Sequence, residues 1–308
     1  MRVFENPVTE CILGVDLGGT SLRVARVDSC GGGLLRMSTP SSAEAEQVVT
    51  SALRKASRGM KVSYVGLSRA PGVDDDGCVS DWPNRPQWIG LPLLQWLRAP
   101  TNAPVVTADD GVCATLWEHR AHADASLDAV TACISLGTGV GVGIAAGNEL
   151  LTSGDGADTL AHERFGSADL PCKCGKRGCL QTVLSVQGLK NMIASQRINE
   201  VCRTFTEFAR ALRRRYAADQ VIITGGGVDC FGAEFLRHAL ASGAIDEGVN
   251  LKISQSPALS GIGGALLLAI HQLRKYRLWW TERVQKFIHE ESSHLPELTA
   301  VMAMSGGA

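Results

Sequence analysis

The feature that most constrains this chain is an internal echo. Residues 11–20 run Cys-Ile-Leu-Gly-Val-Asp-Leu-Gly-Gly-Thr and pass into the alternating segment Ser-Leu-Arg-Val-Ala-Arg-Val-Asp at 21–28. Residues 132–139, Ala-Cys-Ile-Ser-Leu-Gly-Thr-Gly, pass in the same way into Val-Gly-Val-Gly-Ile-Ala-Ala-Gly at 140–147. Each pair is an apolar strand, a tight Gly/Thr turn and a second strand, which predicts a β-hairpin opening a domain. Two such hairpins predict two related lobes, a duplication rather than a short-period solenoid. A length of 308 residues suits two domains.

Between the hairpins the pattern predicts a helix over 42–58, a strand over 62–67 and a Pro/Gly/Asp loop over 70–92. A short strand at 105–107 and a helix over 111–121 follow. Beyond the second hairpin, 187–216 has helical periodicity and 220–224 is a buried strand. Residues 261–274 start as a Gly/Ala-rich helix. Strands alternating with helices predict an α/β fold. The expected divisions are a small lobe over 1–112, a larger lobe over 113–277 and a helical extension over 278–308. In that extension Trp280, Val284, Phe287 and Ile288 fall at helical spacing, as a packing helix or an oligomer contact would place them.

Three glycine-rich turns could face phosphate. Gly18, Gly19 and Thr20 follow Asp16, so exposed backbone N–H groups and a hydroxyl stand beside a carboxylate able to hold a Mg²⁺-bound water. Gly137, Thr138 and Gly139 form a second such turn. Gly225, Gly226 and Gly227 follow an apolar strand and suit a nucleoside lying flat on backbone. None matches the P-loop or the dinucleotide fingerprint.

His162, Cys172, Cys174 and Cys179 are spaced H-x9-C-x-C-x4-C. Three thiolates and one imidazole make a closed four-coordinate zinc set, with a redox C-x-C pair or three unliganded buried thiols as the competing readings. Seven of the 10 cysteines lack paired spacing and read as small buried hydrophobes in a reducing compartment. A formal net charge of −1 predicts neither a nucleic-acid nor an acidic-membrane partner. No apolar run reaches bilayer length and the first ten residues lack an apolar signal core, so a cytoplasmic protein is expected.

Taken in order, these motifs resemble the ROK family of sugar kinases and repressors over about residues 11–270. The resemblance rests on Leu13 to Thr20, Ala70-Pro71-Gly72, Pro83-Asn84 with Trp88, Asp109-Asp110, Leu136 to Gly139, the His162/cysteine knuckle and Gly225 to Gly227. It implies a two-lobed hexokinase/actin-like (ribonuclease H-like) ATPase fold with a zinc knuckle, and a homodimer. It also implies an ATP- and Mg²⁺-dependent kinase acting on a hexose 6-hydroxyl, with Asp110 as the general base. Asn84, Asp109, Thr159, His162 and Gln181 fall on sugar contacts, and Asp16, Gly18, Gly19, Thr20, Thr138, Gly139 and Gly225 to Gly227 on donor contacts. His162 would serve both zinc and sugar. The kinase motif begins near residue 11, so a repressor's DNA-binding domain is not expected.

Departures from the family pattern bear on the substrate. Thr159 and Gln181 stand where the family carries glutamates, and Asp109 where it carries asparagine. Charge is lost at the C1–C2 edge of the sugar and gained at the O3/O4 edge, where Asp109 would pair with an ammonium. A 3-amino-3-deoxyhexose such as kanosamine is therefore the expected substrate. Glucose, or a non-catalytic sugar sensor on the same fold, is the alternative.

Overall fold

The computed structural model describes residues 10–121, 129–146, 149–151, 160–165, 169–232, 250–273 and 277–293. Strands β1 (Glu10–Leu17) and β2 (Ser21–Asp28) pair antiparallel around the first glycine turn, and β3 (Gly31–Ser38) continues the meander. Helix α1 (Ala45–Ser57) returns the chain so that β4 (Lys61–Arg69) lies parallel to β1. A two-stranded ribbon, β5 (Gly72–Val73) with β6 (Val79–Asp81), and helix α2 (Leu93–Thr101) lead to β7 (Val105–Asp109), parallel to β4. The sheet order is β3-β2-β1-β4-β7.

After helix α3 (Asp110–Ala121) the arrangement repeats. Strands β8 (Val130–Leu136), β9 (Val140–Ala146) and β10 (Glu149–Leu150) form the meander. Helices α4 (Leu180–Leu184), α5 (Val186–Ala194) and α6 (Ile198–Tyr216) precede β11 (Gln220–Thr224), parallel to β8. Helix α7 (Gly226–Phe231) precedes β12 (Asn250–Ile253). The order β10-β9-β8-β11-β12 reproduces the first sheet strand for strand, so the sequence echo is a structural duplication.

Helix α8 (Ser260–His271) lies between the halves. A Cβ on Gly66 of β4 would sit 1.7 Å from the carbonyl oxygen of Ala265, and one on Gly264 would sit 1.9 Å from that of Cys113 in α3. Only glycine permits such backbone contact on both sides. Helix α9 (Arg277–Ser293) then buries Trp280, Val284, Phe287 and Ile288 in a core shared with Ile12, Val27 and Ile262. The apolar stripe of the tail is thus a packing face against the first sheet.

Several local expectations are corrected. The helix foreseen over 187–216 breaks at Gln196, whose φ of +56° cannot continue an α-helix. The loop over 70–92 contains the β5–β6 ribbon and a 3₁₀ turn at Pro86–Trp88. The residues after Gly225 enter α7 rather than staying in a turn. Cys30, in the β2–β3 turn, and Cys230, on α7, are exposed rather than buried. Among the described residues no helix is long and apolar enough to cross a membrane.

Candidate active site

The strand ends that carry Asp16 and Asp109 and the two glycine turns open into one cavity of about 300 Å³. The register brings Asp16 opposite Ser68, and Arg69 opposite Asp109, on adjacent parallel strands. The carboxyl ends of parallel strands are where open α/β sheets build binding clefts.

The first turn is tied at both ends. Gly18 N–H donates to the Ser21 carbonyl at 2.9 Å, and the Thr39 hydroxyl donates to the Gly18 carbonyl at 2.6 Å. In the second turn Gly137 N–H donates to the Gly139 carbonyl at 2.9 Å. The turns face each other: a Cβ on Gly19 would lie 3.4 Å from the Thr138 hydroxyl oxygen. Thr20, Gly139, Gly225 and Gly226 also line the cavity. Gly227 does not; it is buried against Leu136.

Asp16 is 6% exposed. It accepts from Arg23 Nη1 at 2.7 Å and from the Ser68 hydroxyl at 2.9 Å. Asp109 closes β7 and caps α3, its Oδ1 accepting from the Gly111 N–H at 2.8 Å. Asp110 is the first residue of α3, and its Oδ1 lies 3.1 Å from where a Cβ on Gly141 would stand. Cys113 lies beneath the three carboxylates. Burial pushes its thiol far above the ordinary value, a hydrogen bond with Ser68 opposes this, and Asp16, Asp109 and Asp110 push it further up. The buried Cys113 thiol is therefore held in its neutral form.

Asn84 reaches the cavity from the loop after β6. That loop is anchored by three tryptophans in edge-to-face contact, Trp82 on Trp88 at 5.0 Å and Trp88 on Trp96 at 6.2 Å. His162 and Gln181 reach it from the second half. Gln181 Oε1 accepts from the Val140 N–H at 3.2 Å, beside the second turn. Thr159 lies outside the described residues.

The His162, Cys172, Cys174 and Cys179 donor atoms all lie within 4.8 Å of one another. Cys172 Sγ stands 3.5 Å from His162 Nδ1, and Cys174 Sγ 3.7 Å from Cys179 Sγ. A tetrahedron with metal–sulfur bonds of about 2.3 Å has edges of about 3.8 Å, so the set fits a four-coordinate ion. Burial tends to raise the Cys174 thiol, but hydrogen bonds from the Lys176 backbone and the neighbouring thiols, with the Lys176 charge, bring it below its ordinary value. Burial and the Cys174 and Cys172 thiols push Cys179 up to about 12. Crowded thiols of this kind favour an ion that takes their protons' place.

A family model described as the ROK family matches residues 12–224. This chain belongs to the ROK family. Its similarity to the kanosamine kinase of Amycolatopsis mediterranei (strain S699) is 33% identity over 219 residues, covering 67% of this chain and 70% of that one. It is 31% identical over 189 residues to the glucokinase of Thermotoga maritima, covering 59% of each chain. The chain thus spans about three fifths of the glucokinase it matches. Among solved structures, a ROK hexokinase from Thermus thermophilus superposes with a TM-score of 0.69 at 22% identity, over 85% of this chain and 98% of that one. A ROK glucokinase from Streptomyces griseus, in complex with glucose and AMPPNP, superposes with a TM-score of 0.65 at 26% identity, over 85% of this chain and 99% of that one. The fold of this ROK protein is thus the hexokinase/actin-like α/β type.

Sequence reasoning passed over two cations that line the cleft, Arg23 and Lys173, and a third, Arg85, that is not among the lining residues but braces the first turn. Arg23 pairs with Asp16, Arg85 bonds the carbonyl of Gly19 at 2.7 Å, and Lys173 bonds Asn84 at 2.6 Å. Arg23 had a usable signal: it lies three residues past Thr20 in a segment of alternating polar and apolar residues, and it pairs across the hairpin with Asp16. Lys173 and Arg85 had none, because their partners are 89 and 66 residues away.

Proposed function

We propose that the chain is an ATP-dependent hexose 6-kinase that prefers an amino sugar such as kanosamine to glucose. One observation carries the reading: two facing glycine turns share a single cleft with Asp109, Asp110, Asn84 and His162. The turns supply backbone N–H donors for a phosphate chain, and Arg23 adds fixed positive charge. Asp110 takes the proton of the 6-hydroxyl as its oxygen bonds to the γ-phosphorus. The bond from that phosphorus to the β,γ-bridging oxygen breaks, and ADP leaves with the electron pair. Mg²⁺ entering with ATP would neutralise phosphate charge, and Asp16 is the carboxylate that would hold its hydration shell.

Zinc is the ion we assign to the knuckle, on the strength of three sulfurs and one imidazole at tetrahedral spacing. When bound it orients His162 toward the sugar, and no bond of the transfer is made or broken at it. The cytoplasm is the compartment this donor set suits, since reducing conditions keep the thiols available.

The amino-sugar preference rests on Asp109 and on the similarity to a kanosamine kinase. A carboxylate–ammonium hydrogen bond is stronger than a carboxylate–hydroxyl one, by about 1 kcal/mol or more. The test is ADP release with kanosamine, glucosamine and glucose. Kanosamine is expected to give the highest kcat/KM, by about fivefold or more over glucose. Equal or better turnover of glucose by the wild type would sink the preference, and no ADP release with any sugar would leave a sensor. Asn caps helices as well as Asp does, so Asp109→Asn should keep its stability while losing the preference.

A further inference from the structure

The donor turn and the acceptor loop are joined by one side chain. Arg85 directly follows Asn84. Its Nε donates to the Gly19 carbonyl at 2.7 Å, and its Nη1 donates to the Pro40 carbonyl at 2.9 Å. Its guanidinium carbon lies 5.9 Å from the centroid of the Trp82 ring, whose other neighbour is the fully buried Trp88. Arg85 is thus held at three points, one of them on the phosphate turn itself.

The bond to Gly19 has a particular effect. A peptide group is planar and trans, so its carbonyl and its N–H point in opposite directions. Anchoring the Gly19 carbonyl therefore fixes the direction of the Thr20 N–H, and Thr20 lines the cleft. On the other side of Arg85, the Asn84 Oδ1 accepts from Lys173 Nζ at 2.6 Å. The amide is thereby oriented with its Nδ2–H group left to donate to an acceptor molecule. Lys173 itself stands between two members of the knuckle, Cys172 and Cys174. The phosphate turn, the acceptor loop and the knuckle are therefore linked in series through Arg85 and Asn84.

We infer that Arg85 is a positioning residue that couples acceptor binding to donor binding, so that each ligand raises the affinity for the other. The inference rests on the kinase reading above, since it needs a sugar at Asn84 and a nucleotide at the glycine turn. A sugar that fixes Asn84 fixes Arg85, and with it the Gly19–Thr20 peptide. The nucleotide then meets a turn already ordered, and by linkage the effect is equal in the other direction.

The experiment is isothermal titration calorimetry of AMP-PNP with Mg²⁺, with and without saturating kanosamine or glucose. The wild type is expected to bind the analogue at least about fivefold more tightly in the presence of sugar. Arg85→Leu, which deletes both hydrogen bonds and leaves a shorter apolar side chain, is expected to bring that ratio close to one. Arg85→Lys, which keeps one point donor, is expected to fall between, and it decides the matter if the leucine variant does not fold. A general loss of structure would weaken both ligands but leave their ratio unchanged. A wild-type ratio preserved in Arg85→Lys and in folded Arg85→Leu overturns the inference. A wild type that binds both ligands without coupling overturns it too, while leaving the kinase reading intact. A wild type that binds neither ligand overturns both.

Discussion

At the residue scale the site turns on two adjacent carboxylates with different duties. Asp109 caps the α3 N-terminus through its bond to the Gly111 N–H and also lines the cleft, while Asp110 stands on the first turn of the helix facing β9. Asp110→Asn keeps the shape and removes the proposed base. Its kcat should fall by about 10²–10⁴-fold with KM values within a few-fold of wild type, as steady-state ADP release would record. Full activity would remove Asp110 from the reaction. The turns and the aspartates were legible in the sequence because each is a local pattern: Gly-Gly-Thr between strands, Asp-Asp before a helix. The cations were not. A lone Arg85 or Lys173 looks like any solvated side chain until the fold brings Gly19 or Asn84 to it.

At the scale of elements, short segments hold the chemistry in place. The knuckle is stitched by Cys172 N–H to the Lys176 carbonyl at 2.8 Å and Gly178 N–H to the Leu170 carbonyl at 2.8 Å, a frame too small to have a core of its own. Metal analysis of the purified protein should find one zinc per chain. Stripping it should lower the unfolding temperature and raise KM for sugar more than KM for ATP. A purified chain that contains no zinc, and gains no stability when zinc is added, would refute the assignment. Helix α7 carries a second titration. Burial raises Asp229 above its ordinary value of 3.8, and the charge of Arg23 only partly offsets this. The folded state therefore binds that proton more tightly than the unfolded chain does. Stability falls as pH rises from the ordinary value through the raised one, and stays lower above it. Asp229→Asn should melt higher than wild type at pH 7, with the gap closing below the ordinary value; calorimetry at both pH values checks the sign. The split of the 187–216 helix at Gln196 was not legible, since nothing in local propensity forces a left-handed residue there.

At the scale of the whole molecule, the duplication was legible as a repeated hairpin, and the matching strand orders bear it out. What the sequence could not show is the path of the last helices, because their partners lie some 250 residues upstream. Helix α9 sets Phe287 where a Cβ on Gly32 of β3 would stand, 2.3 Å from its ring, and Arg36 of β3 pairs with Glu291 at 3.2 Å. Phe287→Ala should destabilise the protein by about 3 kcal/mol in chemical denaturation, the usual loss for a buried aromatic ring. An unchanged midpoint would mean that the helix does not pack on this sheet. The seat of α8 has a further consequence, for synthesis. The ribosome makes β1 to β7 long before it makes Ser260–His271, so the face carrying Ile12, Ala25 and Val27 emerges without the helix that covers it. At about 5–20 residues per second that face waits on the order of ten seconds or more. That face of the N-terminal half therefore cannot be buried by its native partners until α8 and α9 have been made.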